Sequence, residues 1–190
     1  MIKNKGTIPK IMKIATTPMC HEILRLAGVS EYHIIKDGMY EDMDVAVVLS
    51  ETETHDDTST LYIKLKINTF HQIEDSIKLV SERLGTEPIK EDIDAGLSNQ
   101  QRDENRGIRV KTYSQFLSEI AEDMGFTIVN DESYDYLIYP DYLREELEKK
   151  IQVAGESAVE LPSHKNAPQN PVKRAQLRYQ ILESRTCMKH

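Results

Sequence analysis

The chain has 190 residues, with 24 Lys and Arg against 32 Asp and Glu, and its formal net charge is −8. It contains no apolar run near the roughly 18 residues of a membrane helix and no apolar signal-peptide core at its N-terminus, so we expect a cytoplasmic protein without a membrane contact. Residues 151–190 carry six Lys and Arg against three Glu, a net charge of +3, which leaves −11 on residues 1–150 and argues against binding to nucleic acid.

Residues 1–85 are predicted to form a first α/β lobe. An apolar run ends at Thr16-Thr17 and leads into the amphipathic segment HEILRLAG, the short strand YHII and the strand DVAVVLS, which opens at Asp44. LYIKLKI alternates apolar and polar residues, which is typical of a half-buried strand. Thr69 can cap the helix that closes this lobe.

Residues 107–152 repeat this pattern after a polar connector over residues 86–106. RVKTYS precedes the helix SQFLSEIAEDMG, the strand FTIV and the strand DYLIY. With Glu22 set against Glu119, the matched pairs are Thr17 with Ser114, Ile23 with Ile120, and Gly28 with Gly125. Asp44 and Asp135 each open the strand that follows, although they do not fall in this register. The repeat predicts two small Rossmann-like lobes with mostly parallel sheets. The alternative is chance, because β-α-β units share the same start and stop signals.

Residues 153–190 are predicted to be a basic tail, loop-like up to Asn170 and helical over residues 171–185. Asn170-Pro171 fits an N-cap followed by the first helical residue, and the helix carries one apolar stripe. That stripe either packs back on the chain's own body or docks on a protein partner. In the second case, the contact residues would be Val172, Arg174, Ala175, Arg178, Tyr179 and Leu182.

A strand meets the start of a helix in each predicted lobe, at TTPMCHE and at TYSQ. Free backbone N–H groups and the helix dipole favour an anion at such a place. Two facing helix starts would hold a small anionic ligand, with Cys20 or His21 as a metal or tetrapyrrole ligand. The alternatives are hydroxyls that only cap their helices and a cysteine that is only a small buried hydrophobe. The candidate ligand-binding residues are Thr16, Thr17, Cys20, His21, Tyr113 and Ser114.

An acidic loop with one histidine follows the strand DVAVVLS. Its oxygen ligands suit a divalent ion, although the spacing matches no zinc or EF-hand template, and a solvated loop is the alternative. The candidate metal ligands are His55, Asp56 and Asp57. The chain has no P-loop and no GxGxxG, GxSxG or HExxH motif, so we do not predict an enzyme, and a metal-dependent hydrolase using this loop ranks last.

The order Thr-Pro-x-x-x-Glu-Ile-Leu-x-x-x-Gly over Thr17–Gly28, then YHII, then Asp44 before an apolar strand, resembles the first lobe of TroA-like helical-backbone receptors. The segment Thr69–Gly85 is similar to that family's short strand and the helix that ends at Leu-Gly. The resemblance covers Ile11–Tyr139 and implies a bilobal cleft for metals, siderophores or corrinoids. The chain departs from the family in having no long apolar helix between the lobes, which points to binding or assembly inside the cell rather than to transport.

The segment TPMCHEILRLAGV also resembles archaeal proteins found with methanogenesis genes, which implies an accessory to a metal-tetrapyrrole enzyme. We therefore expect a cytoplasmic, non-catalytic protein that holds a small anionic or metal-containing ligand, of the corrinoid or tetrapyrrole type, between two lobes. The alternative is an assembly or interaction subunit of a larger, methanogenesis-related complex, docked through its C-terminal helix.

Overall fold

Two sheets of four parallel strands form the framework of the computed structural model. The structure describes residues 12–36, 38–54, 59–91, 93 and 97–186, so the predicted metal ligands His55, Asp56 and Asp57 lie outside the described residues. The strand order is β2-β1-β3-β4 in the first sheet and β6-β5-β7-β8 in the second. In each sheet, the strand that comes first in the chain, β1 or β5, lies inside the sheet. The second strand pairs with it on one side and the third strand pairs with it on the other. The predicted α/β class is confirmed.

The first lobe has a central buried strand and two helices on the core side. Its elements are β1 (Ile14–Thr16), α1 (His21–Leu26), β2 (His33–Ile34), β3 (Val45–Leu49), β4 (Leu61–Leu65) and α2 (Phe70–Leu84). The Thr69 hydroxyl accepts a hydrogen bond from the Gln72 N–H at 3.1 Å, and Gly85 ends α2 in the left-handed region at φ 68°. Both ends of this helix follow the predicted capping signals.

The second lobe follows a short helix in the connector. The connector helix is α3 (Asn99–Asn105). The elements of the second lobe are β5 (Arg109–Thr112), α4 (Gln115–Asp123), β6 (Thr127–Ile128), β7 (Tyr136–Pro140), α5 (Glu148–Ala154) and β8 (Ala158–Leu161), and α6 (Pro171–Thr186) ends the described chain. The tail before Asn170 was predicted to be loop, but β8 pairs in parallel with β7 over residues 158–161. Its alternating side chains, with Val159 and Leu161 buried, complete the second sheet.

Gly28 and Gly125 occupy the same position after the first helix of each lobe. Both have positive φ, 79° at Gly28 and 90° at Gly125. A Cβ atom added at Gly28 would lie 2.1 Å from the Glu87 carbonyl oxygen, and one added at Gly125 would lie 2.3 Å from the Arg102 carbonyl oxygen. Only glycine accepts both the backbone conformation and the close approach of a neighbouring chain segment. The match between these two glycines in the sequence thus corresponds to equivalent packing against the connector.

One hydrophobic cluster joins the two lobes and α6. It contains side chains of the first lobe, of the second lobe and of the C-terminal helix, among them Ile73, Ile120 and Leu182. The lobes and α6 therefore share a core.

Across the described residues, no helix is both long and apolar enough to cross a membrane.

The apolar stripe of α6 packs back on the chain itself. Arg174, Ala175, Arg178, Tyr179 and Leu182 are each at most 3% exposed. The Tyr179 ring lies 4.9 Å from the Phe70 ring, and its hydroxyl donates to the Asp123 carboxylate. Of the six predicted partner contacts, only Val172 is partly exposed, so these residues do not form a docking surface in this fold. The physical reason is that the apolar side chains of this stripe belong to the hydrophobic cluster that both lobes share.

Candidate functional site

In each lobe, we call the place where the first strand meets the following helix the corner. At the corner of the first lobe, both threonine hydroxyls are hydrogen-bonded to the backbone. Thr16 is fully buried, and its hydroxyl donates to the Val47 carbonyl at 2.9 Å. The Thr17 hydroxyl accepts from the Cys20 N–H at 3.3 Å, which fits the capping alternative. These two side chains therefore fix the strand and the start of α1.

Cys20 and His21 begin α1 at this corner. Cys20 is fully buried, and this burial raises the pKa of its thiol to about 11, against the opposing hydrogen bond from Thr17. The thiol is therefore protonated at neutral pH, as in an inert buried cysteine. The His21 carbonyl accepts the Tyr32 hydroxyl at 3.2 Å. Cys20 fits the alternative of a small buried hydrophobe.

The corner of the second lobe differs from the first in that, among the described residues, the hydroxyl before its helix makes no hydrogen bond to the backbone. The Tyr113 hydroxyl accepts from Lys150 Nζ at 2.9 Å, and the same ammonium group lies 4.9 Å from the centre of the tyrosine ring. Ser114 is the N-cap of α4, yet its hydroxyl makes no capping hydrogen bond. Its Oγ is buried without a hydrogen-bond partner in the described part of the chain. Ser114 thus has a free hydroxyl at a helix N-terminus.

Arg174 and Arg178 lie between the two corners, one helical turn apart on α6. Both are fully buried. Arg174 Nη1 donates to the carbonyls of Pro168 and Gln169, at 3.0 and 2.9 Å. Its Nη1 also lies 3.9 Å from the Met19 sulfur, in the first lobe. This arginine therefore connects the first corner to the loop over residues 162–169, which leads from β8 into α6.

Arg178 makes the equivalent connection to the second lobe. Its Nε donates to the Pro162 carbonyl at 3.0 Å, and the guanidinium carbon lies 4.7 Å from the centre of the Phe116 ring. Phe116 is in the first turn of α4, two residues after Ser114 in the chain. The two arginines thus bring the corners of both lobes to one place.

Several N–H groups of these arginines have no acceptor. Within the described residues, Nε and Nη2 of Arg174 and Nη1 and Nη2 of Arg178 are buried without a hydrogen-bond partner. Burial lowers the pKa of each guanidinium to about 10, and in Arg178 the charge of Arg174 adds to the effect. Both remain cations at neutral pH. Leaving buried charges unpaired costs several kcal/mol, on the order of 3–5 when one partner of a pair is removed.

The loop over residues 162–169 carries His164 to the rim of this site. The His164 ring lies 6.2 Å from the Phe116 ring. Partial burial, followed by the charges of Arg174 and Arg178, lowers the pKa of His164 to about 4, so the imidazole is neutral at pH 7. Asp141 holds this loop, since its carboxylate accepts from the Ser163 N–H at 3.1 Å and from Asn166 Nδ2 at 2.6 Å.

A carboxylate of the second lobe is hydrogen-bonded to side chains of the first lobe. Glu119 of α4 accepts from Lys66 Nζ at 2.8 Å and from the side-chain amides of Asn68 and Gln72, both at 3.0 Å. The three donors belong to the first lobe and the acceptor belongs to the second. This group of four residues, the interlobe latch, holds the lobes together.

Sequence reasoning missed the central role of Arg174 and Arg178 and did not single out Phe116 or His164. A signal was present, because the two arginines lie on the same helical stripe as Ala175, which is buried. Charged residues on an apolar stripe are either paired or functional. In the described part of the chain, no three His, Cys, Asp or Glu side chains are grouped to hold a metal ion.

No family model and no curated protein matches this chain. Its fold is similar to a solved structure of a Zn(II)-bound mutant variant of AdcAII from Streptococcus pneumoniae, with a TM-score of 0.51, 10% identity, and coverage of 93% of this chain and 99% of that chain. A second Zn(II)-bound AdcAII variant from the same organism gives a TM-score of 0.48 at 10% identity, covering 95% and 98% of the two chains. At 10% identity, the first of these similarities shows a shared fold alone.

Proposed function

We propose that this protein binds a small anion in the cleft between its two lobes. The observation that carries the proposal is the pair of buried arginines, Arg174 and Arg178, with four guanidinium nitrogens that have no acceptor among the described residues. A buried guanidinium is stable when an anion or a set of acceptors satisfies it. An anionic ligand supplies both the charge and the acceptors.

The neighbouring carboxylate does not satisfy these groups. Asp141 acts electrostatically on Arg178, but its oxygens accept from Ser163 and Asn166. The Ser114 hydroxyl, which is also buried and unpartnered in the described chain, adds a neutral donor beside Phe116. Two cationic donors on α6 and a neutral donor at the start of α4 are therefore left without an acceptor in the described chain.

Ligand exchange requires the lobes to separate. The free nitrogens of Arg174 and Arg178 are shielded from solvent, and the interlobe latch around Glu119 ties the two lobes to each other. A ligand bound in this closed form is removed from water, which strengthens each charge-assisted hydrogen bond. The protein is thus a binding protein that encloses its ligand.

A metal ligand is less favoured at this site, because two buried guanidinium groups repel a cation. A metal site at His55, Asp56 and Asp57 remains a prediction, which metal analysis of the wild type and of Asp56→Asn would test. A corrinoid or tetrapyrrole ligand, a cytoplasmic location and a role beside a methanogenesis enzyme also remain predictions. Docking through the C-terminal helix is not supported by any exposed stripe, since five of its six residues are buried.

Thermal denaturation in a panel of anions, at constant ionic strength, tests the proposal. We expect at least one small anion to raise the midpoint of wild-type unfolding, since a ligand at 100 times its Kd adds about 2.7 kcal/mol. Arg174→Gln should abolish this gain. Lys173→Gln is the matched control, because it removes an exposed positive charge from the same helix and should keep the gain. Equal anion effects in both variants would overturn the proposal.

A further inference from the structure

We infer that the anion is a tetrahedral dianion of the phosphate type, held by one complete guanidinium fork from each of Arg174 and Arg178. This inference rests on the proposed function and specifies its ligand class. It is based on which nitrogen atoms the fold uses and which it leaves free, together with the placement of Arg178 against the start of α4.

Each arginine leaves an entire edge of its guanidinium group free. Arg174 uses Nη1 for the loop carbonyls, so Nε and Nη2, which share the opposite edge, have no acceptor within the described residues. Arg178 uses Nε, so its two terminal nitrogens are free. Two nitrogens on one edge form a fork that matches two oxygens of one oxyanion.

The same chain shows this recognition in a surface pair. Arg25 binds both carboxylate oxygens of Glu22 through its Nε and Nη2, at 3.1 and 2.9 Å. These are the two atoms that Arg174 leaves free. Arg174 therefore offers the side-on fork that Arg25 uses for a carboxylate, whereas Arg178 offers the end-on fork.

Both forks address one small ligand. Helical residues four apart are neighbours, with Cβ atoms about 5–6 Å apart, so Arg174 and Arg178 project from adjacent turns on one face. Two cations this close repel each other, and a dianion relieves that repulsion more than a monoanion does. A tetrahedral group has enough oxygens for both forks, whereas a single carboxylate has two.

The start of α4 supplies a further donor. This helix has nine residues, its N-cap Ser114 makes no capping bond, and the Ser114 Oγ is buried and unpartnered in the described chain. A hydroxyl and a helix N-terminus together favour a phosphate oxygen. Phe116 packs on the Arg178 guanidinium and fixes its plane, so the fork is preorganised.

Titration calorimetry of the full chain tests the ligand class. The probes are inorganic phosphate, glycerol 3-phosphate as a monoester, succinate and acetate, and the two phosphate probes distinguish a free anion from an esterified one. We expect binding of at least one phosphate probe, with affinity that rises from pH 5 to pH 7, because a phosphate monoester gains its second charge near pH 6. Arg174→Lys and Arg178→Lys keep the charge but lose the fork, and each should weaken phosphate binding about tenfold or more.

Ser114→Ala provides a variant with little risk to folding and should weaken phosphate binding severalfold. Lys173→Arg, on the exposed side of the same helix, should bind as the wild type does. Succinate binding that depends on Arg174 and exceeds phosphate binding would overturn the phosphate assignment while leaving the anion function intact. The absence of any anion binding by the folded wild type would overturn both.

Discussion

Asp44 and Asp135 make the same pair of backbone contacts in the two lobes. The Asp44 carboxylate accepts from the Lys13 N–H at 2.9 Å, and the Asp44 N–H donates to the Lys13 carbonyl at 2.9 Å. Asp135 and Arg109 form the equivalent two bonds, both at 2.8 Å. Shared helix caps can arise by chance, but this contact fixes the start of two adjacent strands. It therefore supports the internal repeat.

Replacing either aspartate should destabilise the protein by a similar amount. Asp44→Ala and Asp135→Ala each remove one side-chain bond to the backbone, a loss of about 1 kcal/mol in the free energy of unfolding. Asp135→Ala also removes an exposed ion pair with the Arg109 guanidinium, which adds only about 0–1 kcal/mol. Urea unfolding measures both values. Asp42→Ala, at an exposed aspartate of the first lobe, is the control and should change little. A large effect at only one of the two positions would contradict their equivalence.

Gly28 and Gly125 should be far less tolerant than Gly85, although all three have positive φ. An added Cβ at Gly85 meets nothing within 4 Å, whereas at Gly28 and Gly125 it lies 2.1 and 2.3 Å from a carbonyl oxygen. Gly85→Ala should cost only the backbone penalty, about 1–2 kcal/mol. Gly28→Ala and Gly125→Ala add displacement of the connector, and each should cost about 3 kcal/mol or more.

Chemical denaturation of the three glycine variants would check this order. If Gly85→Ala destabilises as much as the other two, the cost lies in the backbone conformation. The close approach of the connector would then contribute nothing.

The interlobe latch should make stability depend on pH through Glu119. Burial alone would raise the pKa of this carboxyl, but the hydrogen bonds from Lys66, Gln72 and Asn68 outweigh burial and lower it. The folded-state pKa lies below the unfolded value, so the contribution is complete above about pH 4.3 and is lost as the pH falls through the folded-state pKa. Glu119→Gln should lose about 1.5–3 kcal/mol at pH 7 and have a shallower decline in acid.

Unfolding of Glu119→Gln measured from pH 7 to pH 3 tests the latch. Glu122→Gln, an exposed glutamate on the same helix, should behave as the wild type does at each pH. Limited proteolysis gives a second readout, because lobes that separate more often should be cleaved faster than those of the wild type. An acid profile that is identical for Glu119→Gln and the wild type would exclude a role for this carboxylate.

Much of the fold could be predicted from local signals. Thr69 and Gly85 marked the ends of α2, and the repeat indicated the two sheets. β8 was missed because four alternating residues within a polar stretch carry little signal, and pairing with a strand distant in the chain decides their structure. The helical stripe containing Arg178 was also readable, but its burial depends on how the two lobes meet. The sequence therefore assigned that arginine to a basic tail whose helix either packs on the body or docks on a partner, and it could not decide between the two.

Replacing Arg178 with methionine should show that this arginine lowers the free energy of unfolding without a ligand and is needed for the stabilisation by phosphate. In buffer without multivalent anions, Arg178→Met removes a buried cation with two unsatisfied nitrogens, so the free energy of unfolding should stay unchanged or rise by about 1–4 kcal/mol. It also loses the bond to Pro162 and the contact with Phe116, which offset part of that gain. In saturating phosphate, the wild type should gain stability and the variant should not, so the difference between the two proteins should shrink or reverse.

Urea unfolding of both proteins, with phosphate exchanged for chloride at equal ionic strength, measures this change. Arg25→Met is the matched control, since Arg25 is already bound to Glu22 and Glu91 at the surface and its loss should not depend on phosphate. A variant destabilised by the same amount in both buffers would show that Arg178 serves only packing and its carbonyl contact. A gain in chloride together with a relative loss in phosphate is the result expected of an arginine that is kept for its ligand.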